Sequence, residues 1–459
     1  MESLLRYFEI RLDLYDLTLA FIYFIFIYIL AFTYKRIKQK KNPEYKYFIL
    51  ALSLKVFGGM MFAILTIFYY KGGDSMGYYH GAVCLSDEIL NNPSSGIKIL
   101  FSEFNPHLSM YLAPAESAYF MNVNDLDILT MIKITTVINL LGLYSYGATT
   151  VIFSAISFVG IWMAYSNLCK LYPKYSGYLM VSFFMIPSII FWGSGVLKDT
   201  VTMSCMGWLI YCFSNIFIFK RKIIISILIT IIASILIIRL KPYILYILLP
   251  CLLIWGQTNL KNLIKGSFIR IILIPLIVIS IGISTFFVLQ KISIGAGKYD
   301  INKLQNTLEG FQSWHGYLNN TLDQSGYSLG EIEFSPLGYL KVAPSAFNVT
   351  FFRPYLWEIR NVPTLIGAIE SLLVLLFFLY LLLKLRTQFF IIIFKNKDIL
   401  FMMIFSFIFG IVVGVSSYNF GALSRYKMPA QLLFVTALFL IFNIARDEKK
   451  DIAKPMNFI

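Results

Sequence analysis

The chain has 459 residues, of which 58% are hydrophobic and only 14% are charged. Apolar runs of about 17 or more residues stand between short basic segments, which is typical of a helical protein that crosses the membrane many times. The net charge is +15, but the basic residues cluster beside the apolar runs, as topology signals do, so we exclude nucleic-acid binding. The five cysteines include no Cys-x-x-Cys pair, so neither a disulfide framework nor a zinc site is indicated.

The apolar runs predict an all-α, polytopic bundle of about eleven membrane spans, with residues 1–459 forming a single integral membrane domain. The spans lie near residues 17–34, 47–70, 148–168, 176–192, 200–219, 223–239, 243–257, 271–290, 364–384, 399–416 and 429–445. The segment 131–147 is also apolar, but Lys133, Asn139 and two glycines interrupt it. We therefore interpret it as an interfacial or re-entrant helix.

The positions of Lys and Arg predict the orientation of these spans. More than half of the 39 Lys and Arg residues fall in the short segments on one face, with few acids among them. The positive-inside rule makes that face cytoplasmic. We therefore expect a multi-pass protein of the cell inner or plasma membrane, with its N-terminus outside and its C-terminus in the cytoplasm. The two long loops, roughly 71–147 and 291–362, are then extracytoplasmic and carry short helices.

The segment Ser188–Thr200 forms a polar interruption between two apolar runs, with Pro187 before it. Its glycines and serine suffice for a turn in the membrane interface, but Trp192, Lys198 and Asp199 are more than a turn requires. A Lys beside an Asp at membrane depth is costly unless the protein uses it. One interpretation is interfacial anchoring with a snorkelling lysine. The other is a phosphate or sugar contact in an active site that faces the membrane surface.

The first long loop opens with Lys71-Gly-Gly-Asp-Ser-Met-Gly-Tyr-Tyr-His80, directly after a span. The glycines let the backbone turn close to the membrane and present Asp74 at its surface. A carboxylate at this position can act as a general base on an acceptor hydroxyl, or it can cap a turn. His80 would join Asp74 if a divalent metal is used, but one Asp and one His are too few to assign a metal site. We therefore assign no cofactor.

Positive charge persists on the predicted outer face, where the positive-inside rule should deplete it. Taken singly, each outer cation is also explained by snorkelling. Together they predict a ring that binds a phosphate or pyrophosphate. The residues of this predicted phosphate site are Lys198, Asp199, Arg239, Lys241, Arg353, Arg425 and Lys427. The aromatic residues that would stack on sugar faces are Tyr78, Trp314 and Trp357. Two further charges, Lys55 and Glu370, fall inside spans, where each is either a structural pair or part of a substrate path.

Three motifs resemble the GT-C class of membrane glycosyltransferases, which includes protein mannosyltransferases and lipid A aminoarabinose transferases. The stretch Gly73–Ala82 is similar to the Asp-containing start of that class's first long outer loop, and Pro187–Asp199 resembles its proline-led hairpin. Ser424-Arg-Tyr-Lys-Met-Pro429 is similar to the Arg-Tyr-x-x-Pro that often opens a late span. The chain departs from the class because Asp74 follows the second span and not the first. A weaker resemblance is to O-antigen and capsule polymerases, which are also many-span proteins with long outer loops.

This resemblance implies a glycosyltransferase that moves a sugar from a polyprenyl-phosphate donor to a glycan or lipid acceptor on the extracytoplasmic face. Its partners would be the polyprenyl-linked sugar, membrane lipid and the acceptor. Asp74 would be the general base, and the cations would stabilise the leaving phosphate. The first alternative is a polymerase of polysaccharide repeat units. The second is a transporter or flippase, which would place charges midway along broken helices related by an internal repeat. We find no such repeat in the sequence.

Overall fold

The computed structural model describes residues 12–102, 125–256, 325–330 and 335–452, and the single positions Leu112, Asn306, Glu309, Gly310 and Ser313. The regular structure of these residues is helical, apart from one antiparallel bridge between Gly326 and Asn419. The prediction of an all-α protein is therefore confirmed for the part of the chain that is described. Predictions that fall on residues 271–290 and on Trp314 lie outside it.

The described part of the chain consists mainly of α-helices, which are numbered here in chain order. They are α1 (Leu14–Gln39), α2 (Phe48–Leu65), α3 (Asp74–Asn91), α4 (Pro93–Phe101), α5 (Leu126–Leu141), α6 (Tyr146–Leu171), α7 (Ser176–Phe184), α8 (Pro187–Trp192), α9 (Lys198–Phe213), α10 (Ile223–Leu240), α11 (Pro242–Gly256), α12 (Pro336–Phe352), α13 (Val362–Leu385), α14 (Thr387–Lys395), α15 (Lys397–Ser417), α16 (Phe420–Tyr426) and α17 (Met428–Ile452).

Eight helical segments of the described chain are long and apolar enough to cross a membrane. They are Leu14–Gln39, Pro43–Tyr70, Tyr146–Leu171, Lys198–Ile218, Ile223–Leu240, Val362–Leu385, Lys397–Ser417 and Met428–Lys449. Each coincides with a span predicted from the sequence, which supports a helical membrane protein. The predicted span near 243–257 corresponds to α11, a shorter apolar helix.

The predicted span 176–192 is not one continuous helix. The structure divides it into α7, which ends at Phe184, and α8, which begins at Pro187. Proline has no N–H donor and disfavours a helical conformation in the residue before it, which accounts for the break. The start of α8 is held by Glu370 of α13, whose carboxylate accepts from the amide of Ser188 at 2.8 Å and from its hydroxyl at 2.9 Å. Glu370 thus supplies a structural contact at a helix start that would otherwise leave donors unsatisfied.

The chain divides into two compact units. The first unit comprises Met1–Ser166, Ile189–Tyr211 and Ile229–Pro242, and the second unit comprises Asn167–Ser188, Cys212–Leu228 and Tyr243–Ile459. In the first unit, α3 packs along α5, and Tyr79 contacts Tyr146 with ring centroids 5.0 Å apart. In the second unit, α15 packs between α12 and α17. The core of the second unit includes a phenylalanine cluster, in which the ring centroids of Phe351 and Phe434 lie 4.4 Å apart.

Candidate functional site

The backbone between α8 and α9, residues 193–197, is buried inside the first unit. This differs from the exposed interfacial turn that we expected from the sequence. Lys55 of α2 donates a hydrogen bond to the carbonyl of Gly193, and Ser154 of α6 donates to the carbonyl of Ser194 at 2.7 Å. Non-helical backbone is tolerated at membrane depth where the protein supplies such partners. The intramembrane charge of Lys55 therefore has a structural use.

Two adjacent glycines let α2 pack closely against α8 and α6, beside this buried loop. A Cβ atom at Gly58 would lie only 2.0 Å from the carbonyl oxygen of Ile190, and one at Gly59 would lie 2.2 Å from the hydroxyl of Ser154. Any side chain at these positions would have to displace the neighbouring atoms. Gly58 also follows Lys55 by three residues, so both lie on the same side of α2, where Lys55 contacts the loop and Gly58 contacts the end of α8 before it.

Two adjacent residues at the start of α9 form ion pairs with two different segments of the first unit. The ammonium of Lys198 lies 2.7 Å from the carboxylate of Asp127, and the ammonium of Lys241 lies 2.6 Å from the carboxylate of Asp199. The side chains of Lys198 and Asp127 are only 12% and 5% exposed. Buried charges of this kind are tolerated because each has its counter-ion.

Helix α3 adds an aromatic side chain and a carboxylate to the same region. The Lys198 ammonium lies 5.5 Å from the ring centroid of Tyr78, which is itself buried. Asp74 lies in the first turn of α3 and is exposed. Because four residues separate Asp74 from Tyr78, the two stand on the same face of the helix, one turn apart. The structure thus brings Tyr78 to Lys198 and places Asp74 one turn from Tyr78.

An apolar groove of about 360 Å³ runs along the first unit between α5, α6, α9 and α10. Its lining residues are Ile134, Ile138, Phe153, Ile156, Ser157, Val201, Ser204, Cys205, Trp208, Ile229, Ile232, Ala233 and Leu236. Three of the four helices also carry the paired charges: Asp127 is in α5, Lys198 and Asp199 begin α9, and Lys241 directly follows α10. We call this cluster, together with Tyr78, the charged end of the groove.

The charged residues lie beyond one end of the groove residues on each of these helices. In α9 the first groove residue is Val201, three positions after Lys198, and the last is Trp208. At a rise of 1.5 Å per residue, the groove begins about 5 Å from Lys198 along the helix axis and extends to about 15 Å. In α5 the groove residues Ile134 and Ile138 lie in the C-terminal half of the helix, away from Asp127. In α10 they lie in the middle of the helix, and the last of them, Leu236, is five positions before Lys241. The charges therefore lie at one end of the groove only.

The cation Arg353 of the second unit is bound by a carboxylate and surrounded by aromatic rings. Its Nε atom lies 3.1 and 3.0 Å from the two carboxylate oxygens of Glu358, and Nη2 forms a further bond to the same group. The rings of Tyr327, Tyr355 and Phe420 lie 5.5 to 5.8 Å from its guanidinium carbon. Burial raises the pKa of Glu358, but hydrogen bonds from Arg353 and from the Tyr355 amide lower it by more, so the net pKa is below its ordinary value.

The motif Ser424–Pro429 contributes a buried lysine to the second unit. Lys427 is 1% exposed, and its ammonium donates to the hydroxyl of Ser371 at 3.1 Å. That hydroxyl donates in turn to the carbonyl of Arg353 at 2.9 Å. Lys427 is thus linked to Arg353 through Ser371, whereas a snorkelling lysine would reach the interface. Arg425 is half-buried in α16.

The remaining predicted site residues have varied surroundings. Arg239 is half-buried near the end of α10, two residues before Lys241. Trp357 is 81% exposed and stacks on Tyr355 with ring centroids 4.8 Å apart. Within each unit some of the predicted cations are therefore neighbours. The ring of all six cations stays a prediction.

His80 is buried in α3, and burial lowers its pKa to about 4, so its side chain is neutral at pH 7. It follows Asp74 by six residues, which turns the helix by about 600°, so the two side chains leave α3 in different directions. Among the described residues, no group of three His, Cys, Asp or Glu side chains is arranged to hold a metal ion.

Asp127 is the charged residue of this region that we did not single out from the sequence. It lies in the first turn of α5, and its neighbour Asp125 is the N-cap residue. Two acids just before an apolar run are a recognised signal for a helix start, so Leu126–Leu141 could have been predicted as a helix. No local sequence pattern predicts the ion pair between Asp127 and Lys198.

No protein-family model, no curated protein and no solved structure matches this chain. The similarity to GT-C glycosyltransferases therefore rests on the three sequence motifs alone. It stays a prediction.

Proposed function

We propose that the protein is a membrane glycosyltransferase that takes a sugar from a polyprenyl-phosphate donor and passes it to an acceptor hydroxyl on the extracytoplasmic face. The observation that carries this proposal is the apolar groove whose lining in α9 begins about one turn after Lys198 and the neighbouring ion pairs. A polyprenyl phosphate joins a long apolar chain directly to a phosphate. The chain matches the groove, and the phosphate matches the charged end.

Lys198 is the residue that we assign to the phosphate. A lysine ammonium has three N–H donors and can bind Asp127 while it donates to a phosphate oxygen. Arg239, near the end of α10, adds positive charge beside Lys241, whose own charge is paired with Asp199. These charges stabilise the negative charge that develops on the phosphate as it leaves the sugar.

Asp74 is the proposed general base. It takes the proton of the acceptor hydroxyl, the acceptor oxygen forms a bond to the anomeric carbon, and the bond from that carbon to the phosphate oxygen breaks. The electron pair of the broken bond stays on the polyprenyl phosphate. The position of Asp74, exposed and one turn from Tyr78, supports this role because an acceptor can reach it from solvent.

The proposal includes the topology predicted from the sequence, with about eleven spans, an outer N-terminus and a cytoplasmic C-terminus. On this topology α3 belongs to the first outer loop, and the charged end faces outwards. A polymerase would use the same donor chemistry but move a whole repeat unit, so the size of the transferred glycan separates the two.

Transport of a lipid-linked sugar is the second candidate function, and one observation favours it. The run 176–197 is discontinuous, with a break at residues 185–186 and a buried non-helical loop at 193–197. Discontinuous segments of this kind form the binding sites of many transporters. Lipid binding without any sugar transfer, accompanied by movement of the lipid between leaflets, would support this candidate instead.

The groove can be tested with two neighbouring isoleucines of α10. Ile232 lines the groove and is 60% exposed, whereas Ile231 is 51% exposed and does not line it. We expect Ile232→Trp to weaken binding of a long-chain polyprenyl phosphate to the detergent-purified protein by about tenfold or more, because the indole occupies the space of the chain. Ile231→Trp, the matched control, should leave binding unchanged.

Native mass spectrometry of the two variants with the same lipid measures this difference. Lys198→Met should also weaken binding of the polyprenyl phosphate, but it should not affect binding of the uncharged polyprenol. Equal binding by the wild type, Ile232→Trp and Lys198→Met would remove the observation on which the proposal rests. Transfer of a sugar from polyprenyl-phosphate hexoses to an acceptor in vesicles then tests the reaction itself.

A further inference from the structure

A second groove, in the second unit, combines a basic rim with an apolar floor. Its volume is about 270 Å³, and it lies between the C-terminal parts of α13 and α17. The floor consists of Leu381, Leu385, Phe442 and Ala445, and the rim consists of Lys384, Arg446 and Lys449. We call it the basic-rim groove.

The spacing of these residues places them on one face of each helix. In α13 the lining residues are at positions 381, 384 and 385, and in α17 they are at 442, 445, 446 and 449. Such intervals of three and four residues define a single helical face. The positive-inside rule requires basic residues near the ends of spans, but it does not require three of them around one groove. The arrangement therefore needs a further explanation.

The charge of the rim cations is available to a ligand. Within the described residues, Lys384, Arg446 and Lys449 form no ion pair with a carboxylate. The acids next to Arg446 in sequence are engaged elsewhere: Asp447 accepts from Tyr175 at 3.0 Å, and Glu448 accepts from Gln388 at 3.0 Å.

Aromatic side chains hold two of the cations in place. Lys384 lies 4.8 Å from the ring centroid of Tyr380 and 6.0 Å from that of Phe442, and it donates to the Tyr380 hydroxyl. Arg446 lies 5.8 Å from the ring centroids of Phe442 and Tyr178, and its Nη1 donates to the Tyr178 hydroxyl at 3.3 Å. These contacts preorganise Lys384 and Arg446, and because each hydroxyl takes only one of the N–H donors of a cation, the others can bind a phosphate.

We infer that the basic-rim groove binds the phosphodiester headgroup of an anionic glycerophospholipid. The three cations match the phosphate, and the leucines and Phe442 match the first carbons of the acyl chains. The groove lies at the ends of two candidate membrane spans, where phospholipid headgroups are found. This site is independent of the proposed reaction because it uses none of its residues.

The test compares lipid binding by native mass spectrometry after delipidation in detergent. We expect the wild type to bind phosphatidylglycerol at least about tenfold more tightly than phosphatidylcholine, because each cation near a headgroup contributes to affinity. The variant Lys384→Ala/Arg446→Ala/Lys449→Ala should lose this preference. The matched control Arg36→Ala/Lys38→Ala/Lys40→Ala removes the same charge from exposed positions near the end of α1. This control should keep the preference for phosphatidylglycerol.

Two further measurements keep the inference open to refutation if the triple variant does not fold. Raising the salt to about 1 M, which shortens the Debye length to about 3 Å, should weaken phosphatidylglycerol binding to the wild type. The variant Lys384→Arg/Lys449→Arg, which keeps the charges, should bind as the wild type does. The inference is overturned if phosphatidylcholine binds equally well, if salt has no effect, or if the control variant loses as much binding as the triple variant. Displacement of the lipid by soluble glycerol phosphate would overturn the lipid assignment and indicate a site for free phosphate.

Discussion

The ammonium nitrogen of Lys198 lies 2.7 Å from a carboxylate oxygen of Asp127, which stands 71 residues earlier in the chain. The contact joins the first turn of α5 to the first turn of α9. Both side chains are largely buried, so water screens the interaction only weakly. The pair therefore fixes the end of the groove at which we place the phosphate, and its removal has consequences for stability as well as for function.

We expect Lys198→Met to lower the free energy of unfolding by about 3–5 kcal/mol, because it leaves the Asp127 charge buried without its counter-ion. The double variant Lys198→Met/Asp127→Asn should recover much of this loss, because both charges are removed. Lys174→Met is the control: that lysine is 81% exposed and lies 4.0 Å from Asp447, so its loss should cost about 1 kcal/mol or less. Denaturant unfolding in micelles measures the free energy of unfolding of all three variants. Similar losses for Lys198→Met and Lys174→Met would contradict the prediction.

The role of Asp74 is tested with asparagine, which keeps the size of the side chain and one acceptor oxygen but cannot take a proton. We expect Asp74→Asn to lower the rate of sugar transfer about 100- to 10,000-fold, while binding of the lipid-linked donor is unchanged. Asp87→Asn makes the same change elsewhere in α3 and should leave the rate unaffected. Transfer by Asp74→Asn at nearly the wild-type rate would remove Asp74 from the mechanism.

The close approach of α2 to α8, directly before the buried loop, makes Gly58 sensitive to the smallest side chain. Its Cβ would lie 2.0 Å from a backbone oxygen, so Gly58→Ala should destabilise the protein by about 1–3 kcal/mol or more. A Cβ at Gly367 in α13 would have its nearest neighbour 4.0 Å away, so Gly367→Ala should be neutral or slightly stabilising. Thermal unfolding in detergent compares the two variants. A Gly58→Ala protein as stable as Gly367→Ala would show that stability does not depend on this close approach of α2 to α8.

The lowered pKa of Glu358 predicts a dependence of stability on pH. A carboxylate whose folded pKa is below its unfolded value of about 4.5 stabilises the protein above that pH, and this contribution is lost as the pH falls through the folded pKa. We therefore expect Glu358→Gln to unfold at a lower temperature than the wild type at pH 7. The difference should shrink on acidification below about pH 4.5. An equal difference in unfolding temperature at pH 7 and below about pH 4.5 would mean that the contact with Arg353 does not depend on the charge of Glu358.

Cysteine labelling in intact cells or right-side-out vesicles tests the proposed topology, after replacement of the five native cysteines. Lys71→Cys and Trp357→Cys should react with a membrane-impermeant reagent from outside. Gln39→Cys and Thr387→Cys should react only after the membrane is opened. All four residues are exposed and lie at helix ends or, for Trp357, in the connection between α12 and α13, so accessibility to the reagent depends on the side of the membrane. Labelling of Lys71→Cys and Gln39→Cys from the same side would disprove the predicted orientation.

The sequence alone determined the helical membrane class and the positions of the described spans. A span needs about 20 apolar residues whose backbone groups are satisfied within the helix, and this requirement is local and can be read along the chain. The sequence also indicated Lys198 and Asp199, because adjacent opposite charges between apolar runs are costly unless they are used. Pro187, Gly193 and Gly195, which precede these charges, likewise indicated an interruption between the apolar runs.

Only the tertiary structure decided what these residues contact. Asp127 meets Lys198 because packing brings the first turns of α5 and α9 together. The loop at 193–197 is buried because Lys55, Gly59 and Ser154 approach it from two other helices. The groove has the same origin, since four helices from different parts of the chain line it. Contacts between residues so far apart depend on how the helices pack, and helical packing is set by the shapes of whole surfaces rather than by any local pattern.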